Sequence, residues 1–316
     1  MAKRVDDKRR VALLRCESYH HKKLKEAVEK ICAAAELGVR SGSTVLLKPN
    51  LVTTRGCPGH LACSSPEFVT AVAEWFVDQG ARVRIGDSPA FGTARRVMSV
   101  CGMAGPLRRL GVEAVNFSKS RQVSLDCGLT VPVAAEALDC DLLVNLPRVK
   151  AHSQLYVSLA VKNYFGVVTG MRKALHHAVY GDRANHFESL LVDLLKLFPA
   201  GFSLVDGVIA MQGPGHLKGY PYHLHLLGGS FDAVALDTAL LNIIGADPGK
   251  SQLWVECRNR GMTGTSLNDI DFPLQSPAEL AVNDFALPSA LKPVTFNPVR
   301  ILVSACRRLA ASVPGD

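Results

Sequence analysis

Apolar and polar positions alternate in changing rhythms along this chain, and each change marks an element. Arg10 to Arg15 and Ser43 to Lys48 are short apolar runs of the kind that form buried strands. Between them, Leu24 to Leu37 carries apolar residues at helical spacing and stops at Gly38. Pro49 ends the second strand, Pro66 opens a helix running to Gly80, and Ala81 to Ile85 reads as the next strand. A helix is predicted over Thr93 to Val100, with strands over Val112 to Asn116 and Asp141 to Asn145. Such alternation predicts an α/β fold of mostly parallel sheets with crossover helices.

Both rhythms lapse between Arg148 and Gly181. They return as a helix over Phe187 to Phe198, strands over Phe202 to Ala210 and His223 to Leu227, and a helix to Ile244 capped by Asp232. A short basic helix, Val299 to Ala311, follows several prolines. The expectation is one unit with two lobes, 1–147 and 182–316, around a cleft, and a site-bearing connection at 148–181.

Composition narrows the function classes. With 316 residues, 48% hydrophobic and 20% charged, the chain is long enough to bury a substantial core. No segment approaches the roughly 20 consecutive apolar residues of a membrane span. The basic start has only a short apolar run, Val11 to Leu14, so it does not read as a secretory signal, and a cytoplasmic protein is expected. Nine scattered cysteines without a CxxC pair read as reduced thiols. The net charge of +8 comes with only 6% aromatics, which argues against nucleic acid and for small anionic molecules as partners.

Four segments carry candidate chemistry. Lys48-Pro49-Asn50 closes a strand, where a lysine and an amide can hold an anion or carbonyl; a simple turn is the alternative reading. The loop after it holds Cys57, His60 and Cys63, soft ligands open to zinc or an iron cluster. Gly86-Asp87-Ser88 ends another strand and offers Asp87 as an acid, base or orienting group, or as a turn cap. From Asn145 to His177 there is no Asp or Glu, yet Arg148, Lys150, His152, Lys162, Asn163, Arg172, Lys173, His176 and His177 all occur. That excess suits a phosphate or carboxylate site. Finally, Gly213, Gly215 and Gly219 surround His216 and Lys218 in a weak phosphate-loop pattern, and His223 and His225 are expected to share one face of a strand.

In this order these segments resemble the family catalogued as domain of unknown function 362. The matching pieces are Lys48 to Val52, Ser65-Pro66-Glu67, Gly86-Asp87-Ser88, Asp141 to Pro147, Lys150-Ala151-His152, Val161 to Gly166, Lys173 with His177, Val205-Asp206-Gly207, Gly213-Pro214-Gly215 and Asp232 to Asp237. Many members append ferredoxin-like cysteines near the C-terminus; only Cys257 and Cys306 lie there, so appended iron-sulfur clusters are not expected. More remotely the family is similar to the nickel-pincer lactate racemases, two-lobed enzymes in which histidines and a lysine hold a nickel-bearing pyridinium nucleotide. A histidine precedes the cofactor-bearing lysine there as His152 precedes Lys162 here, although this chain reads Ser158-Leu159-Ala160-Val161 where glycines are expected.

The leading expectation is an enzyme of isomerase-like or oxidoreductase-like class acting on a small anionic or nucleotide-like substrate or cofactor. Lys48, Asn50, Asn163, Lys173, Gly213 and Gly215 are its candidate binding residues. His152, Lys162, His177 and Asp87 are the candidate catalytic groups, and His152, His177, Cys57 and Cys63 the candidate ligands if a transition metal takes part. A non-catalytic metal or iron-sulfur handling protein is the alternative, and a nucleic-acid binder a third reading.

Overall fold

The computed structural model describes residues 9–54, 60–89, 92–169, 185–198, 201–215 and 218–291. Its strands are, in order, β1 (Arg9–Arg10), β2 (Ala12–Arg15), β3 (Thr44–Pro49), β4 (Arg82–Asp87), β5 (Glu113–Asn116), β6 (Ser120–Ser124), β7 (Thr130–Ala134), β8 (Leu142–Leu146), β9 (Arg148–His152), β10 (Tyr156–Ser158), β11 (Phe202–Gln212), β12 (Tyr220–Tyr222), β13 (Leu226–Ser230) and β14 (Ile270–Asp271). Ten of them form one sheet. From β5 through β4, β3 and β8 to β11 every pairing is parallel. Beyond β11, strands β13 and β2 continue antiparallel.

Helices His21–Ala34, Pro66–Asp78 and Ala94–Val100 stand between the early strands as crossovers. The Pro66–Asp78 helix begins where Ser65 Oγ accepts from the Phe68 amide and proline occupies the first helical position, which needs no amide partner. Neighbouring residues of a strand point to opposite faces of the sheet, and the core divides accordingly. Val45 and Leu47 pack with these helices, while Leu46 packs into the second layer with Leu190, Leu236 and Leu240 from helices His186–Leu195 and Ala233–Ile243.

Pro147 interrupts one edge of this arrangement. Lacking an amide, it cannot continue the ladder, so β8 ends and β9 starts afresh along the same side of β11. Strand β11 thus pairs with β8 through Phe202 and Ser203, then with β9 through Asp206 and Met211. One sheet therefore contains strands from both the 1–147 and the 182–316 segments.

Three expectations change here. Arg148 to Ser158, which shows neither rhythm, is a β9–β10 hairpin whose register pairs His152 with Tyr156 and Lys150 with Ser158. It is buried on both sides, so its polar residues do not alternate with apolar ones in the usual way. His223 and His225 lie between β12 and β13 rather than on one strand, and His225 has φ 55. Cys101 is disulfide-bonded, so the nine thiols are not all reduced. The predicted helix Val299 to Ala311 lies outside the described residues.

Candidate functional site

Parallel strands bring the carboxyl ends of β3, β4 and β8 to one edge, where open α/β sheets present their ligands. Lys48 pairs in register with Asn145 and its side chain is wholly buried. Its Nζ lies 3.1 Å from Asp87 Oδ1 and donates to the Pro49 carbonyl at 2.8 Å. Asp87 accepts in addition from the amides of Leu51 and Ser88, at 2.8 Å each. Gly166, in the 3-10 turn Tyr164–Val167, lies over this ion pair so closely that a Cβ would overlap Asp87 Oδ1 and the Lys48 Cε and Nζ. Burial lowers the Lys48 ammonium, and Asp87 pulls the other way.

Two further lysines surround the pair. Lys150 donates to Asn50 Oδ1 at 2.9 Å and to the Ala62 carbonyl at 3.0 Å, which leaves one ammonium proton without an acceptor among the described residues. Burial and the charges of Lys162, Arg148 and Lys48 push it down to about 7. Lys162, partly exposed in the short helix Ala160–Asn163, has no hydrogen bond or ion pair with any described residue. Burial and Lys48, against the pull of Asp87, bring it down to about 8.

A second unmet group faces the same region. Ser158 is opposite Lys150 in the β9–β10 ladder, and opposed residues of an antiparallel pair share a face. Its hydroxyl is buried and has no hydrogen-bond partner among the described residues. A buried hydroxyl left unpaired costs about 1–3 kcal/mol, so such groups are uncommon unless something else meets them.

The asparagines predicted to bind a ligand form a directed relay. Lys150 can only donate, so Asn50 Oδ1 accepts from it; Asn50 Nδ2 then donates to Asn163 Oδ1 at 2.6 Å. Asn163 Nδ2 donates to Asn145 Oδ1 at 2.8 Å, and Asn145 Nδ2 donates to Ser203 Oγ at 3.1 Å and the Ala160 carbonyl at 3.0 Å. The helix carrying Lys162 and Asn163 is held from below by Asp237, whose carboxylate accepts from the Ala160 and Val161 amides at 2.7 and 3.2 Å. Burial, opposed by those amides, raises Asp237 to about 8.

A separate cavity of about 320 Å³ is lined by Tyr19, His60, Cys63, Ser65, Glu67 and Arg148 among others. Arg148 forms its wall. The guanidinium donates to the Ile209 and Cys63 carbonyls at 2.8 Å each and to Tyr19 Oη at 2.9 Å, and lies 3.7 Å from Asp206. Tyr19 donates to Asp206 Oδ1 at 2.7 Å. Burial, then Lys150 and Arg148, lower the His60 imidazole.

His152 has a structural task in this arrangement. Its Nδ1 accepts from the amides of Gln154 and Leu155, both at 3.2 Å, and so satisfies the turn between β9 and β10. Neutral imidazole accepting at Nδ1 carries its proton on Nε2, and a ligand nitrogen at Nε2 requires the opposite tautomer. Gly215, at φ 60, packs its Cα against the His152 backbone, and Gly213, at φ 90, against the Tyr220 ring; both are places where a side chain would collide. The Cys63 thiol is buried and donates to the Thr53 carbonyl at 3.7 Å. Among the described residues no three His, Cys, Asp or Glu side chains are grouped to hold a metal ion. With His152 so engaged, the described residues do not fit a nickel-pincer group. Cys57, Lys173 and His177 lie outside the described residues.

Lys48, Asp87, Asn50, Asn163 and Lys162 are thus brought to one place, and the structure adds Lys150, Ser158, Asn145 and Asp237. Lys150 belongs to the acid-free run, but its role depends on Asn50 and Ala62, far away in the chain. Among the described residues no helix is long and apolar enough to cross a membrane.

Comparison with known proteins places this architecture in a family. A thylakoid-associated protein of Synechocystis sp. is 36% identical over 298 residues, covering 93% of this chain and 92% of the relative. The lactate racemase apoprotein from Thermoanaerobacterium thermosaccharolyticum superposes with a TM-score of 0.48 at 13% identity, over 73% of this chain and 57% of that one. The present chain therefore spans little more than half of the racemase. The family model "Domain of unknown function (DUF362)" matches residues 45–242. With that match and a relative aligned over nearly its whole length, the chain belongs to the DUF362 family.

Proposed function

We propose that the protein is an enzyme that binds a small anionic substrate at the carboxyl edge of the sheet, between Lys150, Ser158 and Lys162. The observation that carries this reading is the imbalance of charge and hydrogen bonding there. Three buried or half-buried lysines gather there, and Asp87, the carboxylate that acts on Lys48 and Lys162 among the described residues, is already committed to Lys48. Ser158 Oγ and one Lys150 proton meanwhile have no acceptor among the described residues. Isolated buried charge is costly, and one anionic oxygen between these donors would offset much of that cost. Amines lowered to about 7 and about 8 also suit proton transfer near neutral pH.

A cytoplasmic location forms part of the proposal; the thylakoid association in the relative's name makes membrane fractionation the direct check. Binding is tested by calorimetric titration of the full chain with oxalate and with inorganic phosphate. Lys150→Met and Lys162→Met should each weaken the better ligand about tenfold or more, as loss of a charge-assisted hydrogen bond does. Absence of binding, or binding indifferent to both substitutions, sinks the reading.

A further inference from the structure

The three lysines differ in how they are held, and that difference assigns them different work. Lys48 is locked between Asp87 and the Pro49 carbonyl beneath Gly166. Lys150 is tied to Asn50 and Ala62. Lys162 alone of the three has no tether among the described residues, and its surface is the least covered of the three. Tethered ammoniums hold a charge or a proton at a fixed place, whereas an untethered amine is free to approach a reacting carbon.

We infer that Lys162 is a covalent nucleophile that captures a small carboxylate-bearing aldehyde or ketone as an imine, with Lys150 and Ser158 holding the carboxylate. This rests on the anion site proposed above and names its substrate class. An amine in a desolvated site beside other cations is nucleophilic at neutral pH because less of it is protonated. Here burial and the Lys48 charge act in that direction. The Gly166 roof fixes Lys48 as that neighbouring cation, so the nucleophile's environment is built into the fold.

The step balances without an oxidant or reductant. The Lys162 nitrogen lone pair attacks the carbonyl carbon, the C=O π pair moves to oxygen, and one proton passes from nitrogen to that oxygen. The resulting carbinolamine takes a second proton on its hydroxyl from the Lys150 ammonium. Nitrogen then forms the C=N bond as the C–O bond breaks and water leaves. The positive charge given up by Lys150 now resides on the iminium, so the total charge of the site is unchanged.

The test uses the full chain with glyoxylate, which has both required groups, and acetaldehyde, which lacks the carboxylate, each with cyanoborohydride to fix any imine. Peptide mass mapping then locates the label. Lys162 should be labelled by glyoxylate about tenfold or more faster than the exposed lysines, and acetaldehyde should show no such preference. Lys162→Arg, which keeps the charge, should abolish the fast label while leaving the slow ones. If glyoxylate binds calorimetrically but labels Lys162 no faster than exposed lysines, the imine is overturned and the anion site stands. If it neither binds nor labels, both readings fall.

Discussion

Asp237 and Ala160 are joined by a 2.7 Å hydrogen bond in which a buried carboxylate oxygen takes an amide of the turn that carries Lys162 and Asn163. The two residues are distant in sequence, and no cation is paired with Asp237 among the described residues; its carboxyl group instead holds the base of the candidate site in position. Burial is the largest influence on this acid and raises it to about 8.

That shift fixes the sign of a pH effect. The folded chain keeps the Asp237 proton up to about 8, while the unfolded chain releases it near 3.8. The associated stability is therefore fully present below about pH 3.8 and declines as pH rises through 8. Asp237→Asn removes the titration. Its stability relative to the parent should rise between pH 4 and pH 8, read by urea unfolding at several pH values, and a difference flat across that range would contradict the assignment.

Gly166→Ala places a methyl group where Asp87 and Lys48 already are. Overpacking of this kind costs about 1–3 kcal/mol, and more where the displaced groups are charged. Urea unfolding of the variant should show that loss. Gly102→Ala offers a control: a Cβ there meets nothing within 4 Å, although its φ of 84 adds some backbone strain.

Tyr19→Phe removes the hydroxyl that links Arg148 to Asp206. Both partners are buried, so each loses a hydrogen bond it cannot recover from water. A loss of about 1–3 kcal/mol is expected in chemical denaturation. A Tyr19→Phe protein as stable as the parent would show that water enters the cavity wall and replaces the hydroxyl.

Asn50→Asp puts a full negative charge against the Lys150 ammonium. The Lys150 amine should then hold its proton to higher pH, and its acylation by a small anhydride, followed by mass mapping, should slow at pH 7–8. Unchanged acylation would separate Asn50 from Lys150 in solution.

The strands and the site were legible to different degrees for a physical reason. Thr44–Pro49, Arg82–Asp87 and Leu142–Leu146 are continuous apolar runs, and a polar residue at the end of such a run marks a strand terminus whatever surrounds it. Lys48, Asn50 and Asp87 could be chosen on that ground alone. The β9–β10 hairpin could not, because burial on both faces erases alternation. Lys150 stood within the cationic run without distinction from Arg148, and only the fold gives Lys150 to Asn50 and Arg148 to Tyr19. Tyr19 and Asp237 meet partners far along the chain, which no local spacing encodes. The paired histidines at 223 and 225 illustrate the reverse: alternation suggested a strand, but the turn between β12 and β13 places them, with His225 Nδ1 donating to the Glu17 carbonyl, 3.0 Å away.

The relay from Lys150 through Asn50, Asn163 and Asn145 has an electrical meaning beyond its hydrogen bonds. Each amide turns its oxygen toward the lysine end and its nitrogen away, so three dipoles lie in series with their negative poles facing one ammonium. Together they act as a diffuse counter-charge that contains no ionisable group. A carboxylate in their place would pin Lys150 as a cation and repel an incoming anion; neutral dipoles steady the ammonium while leaving its charge available.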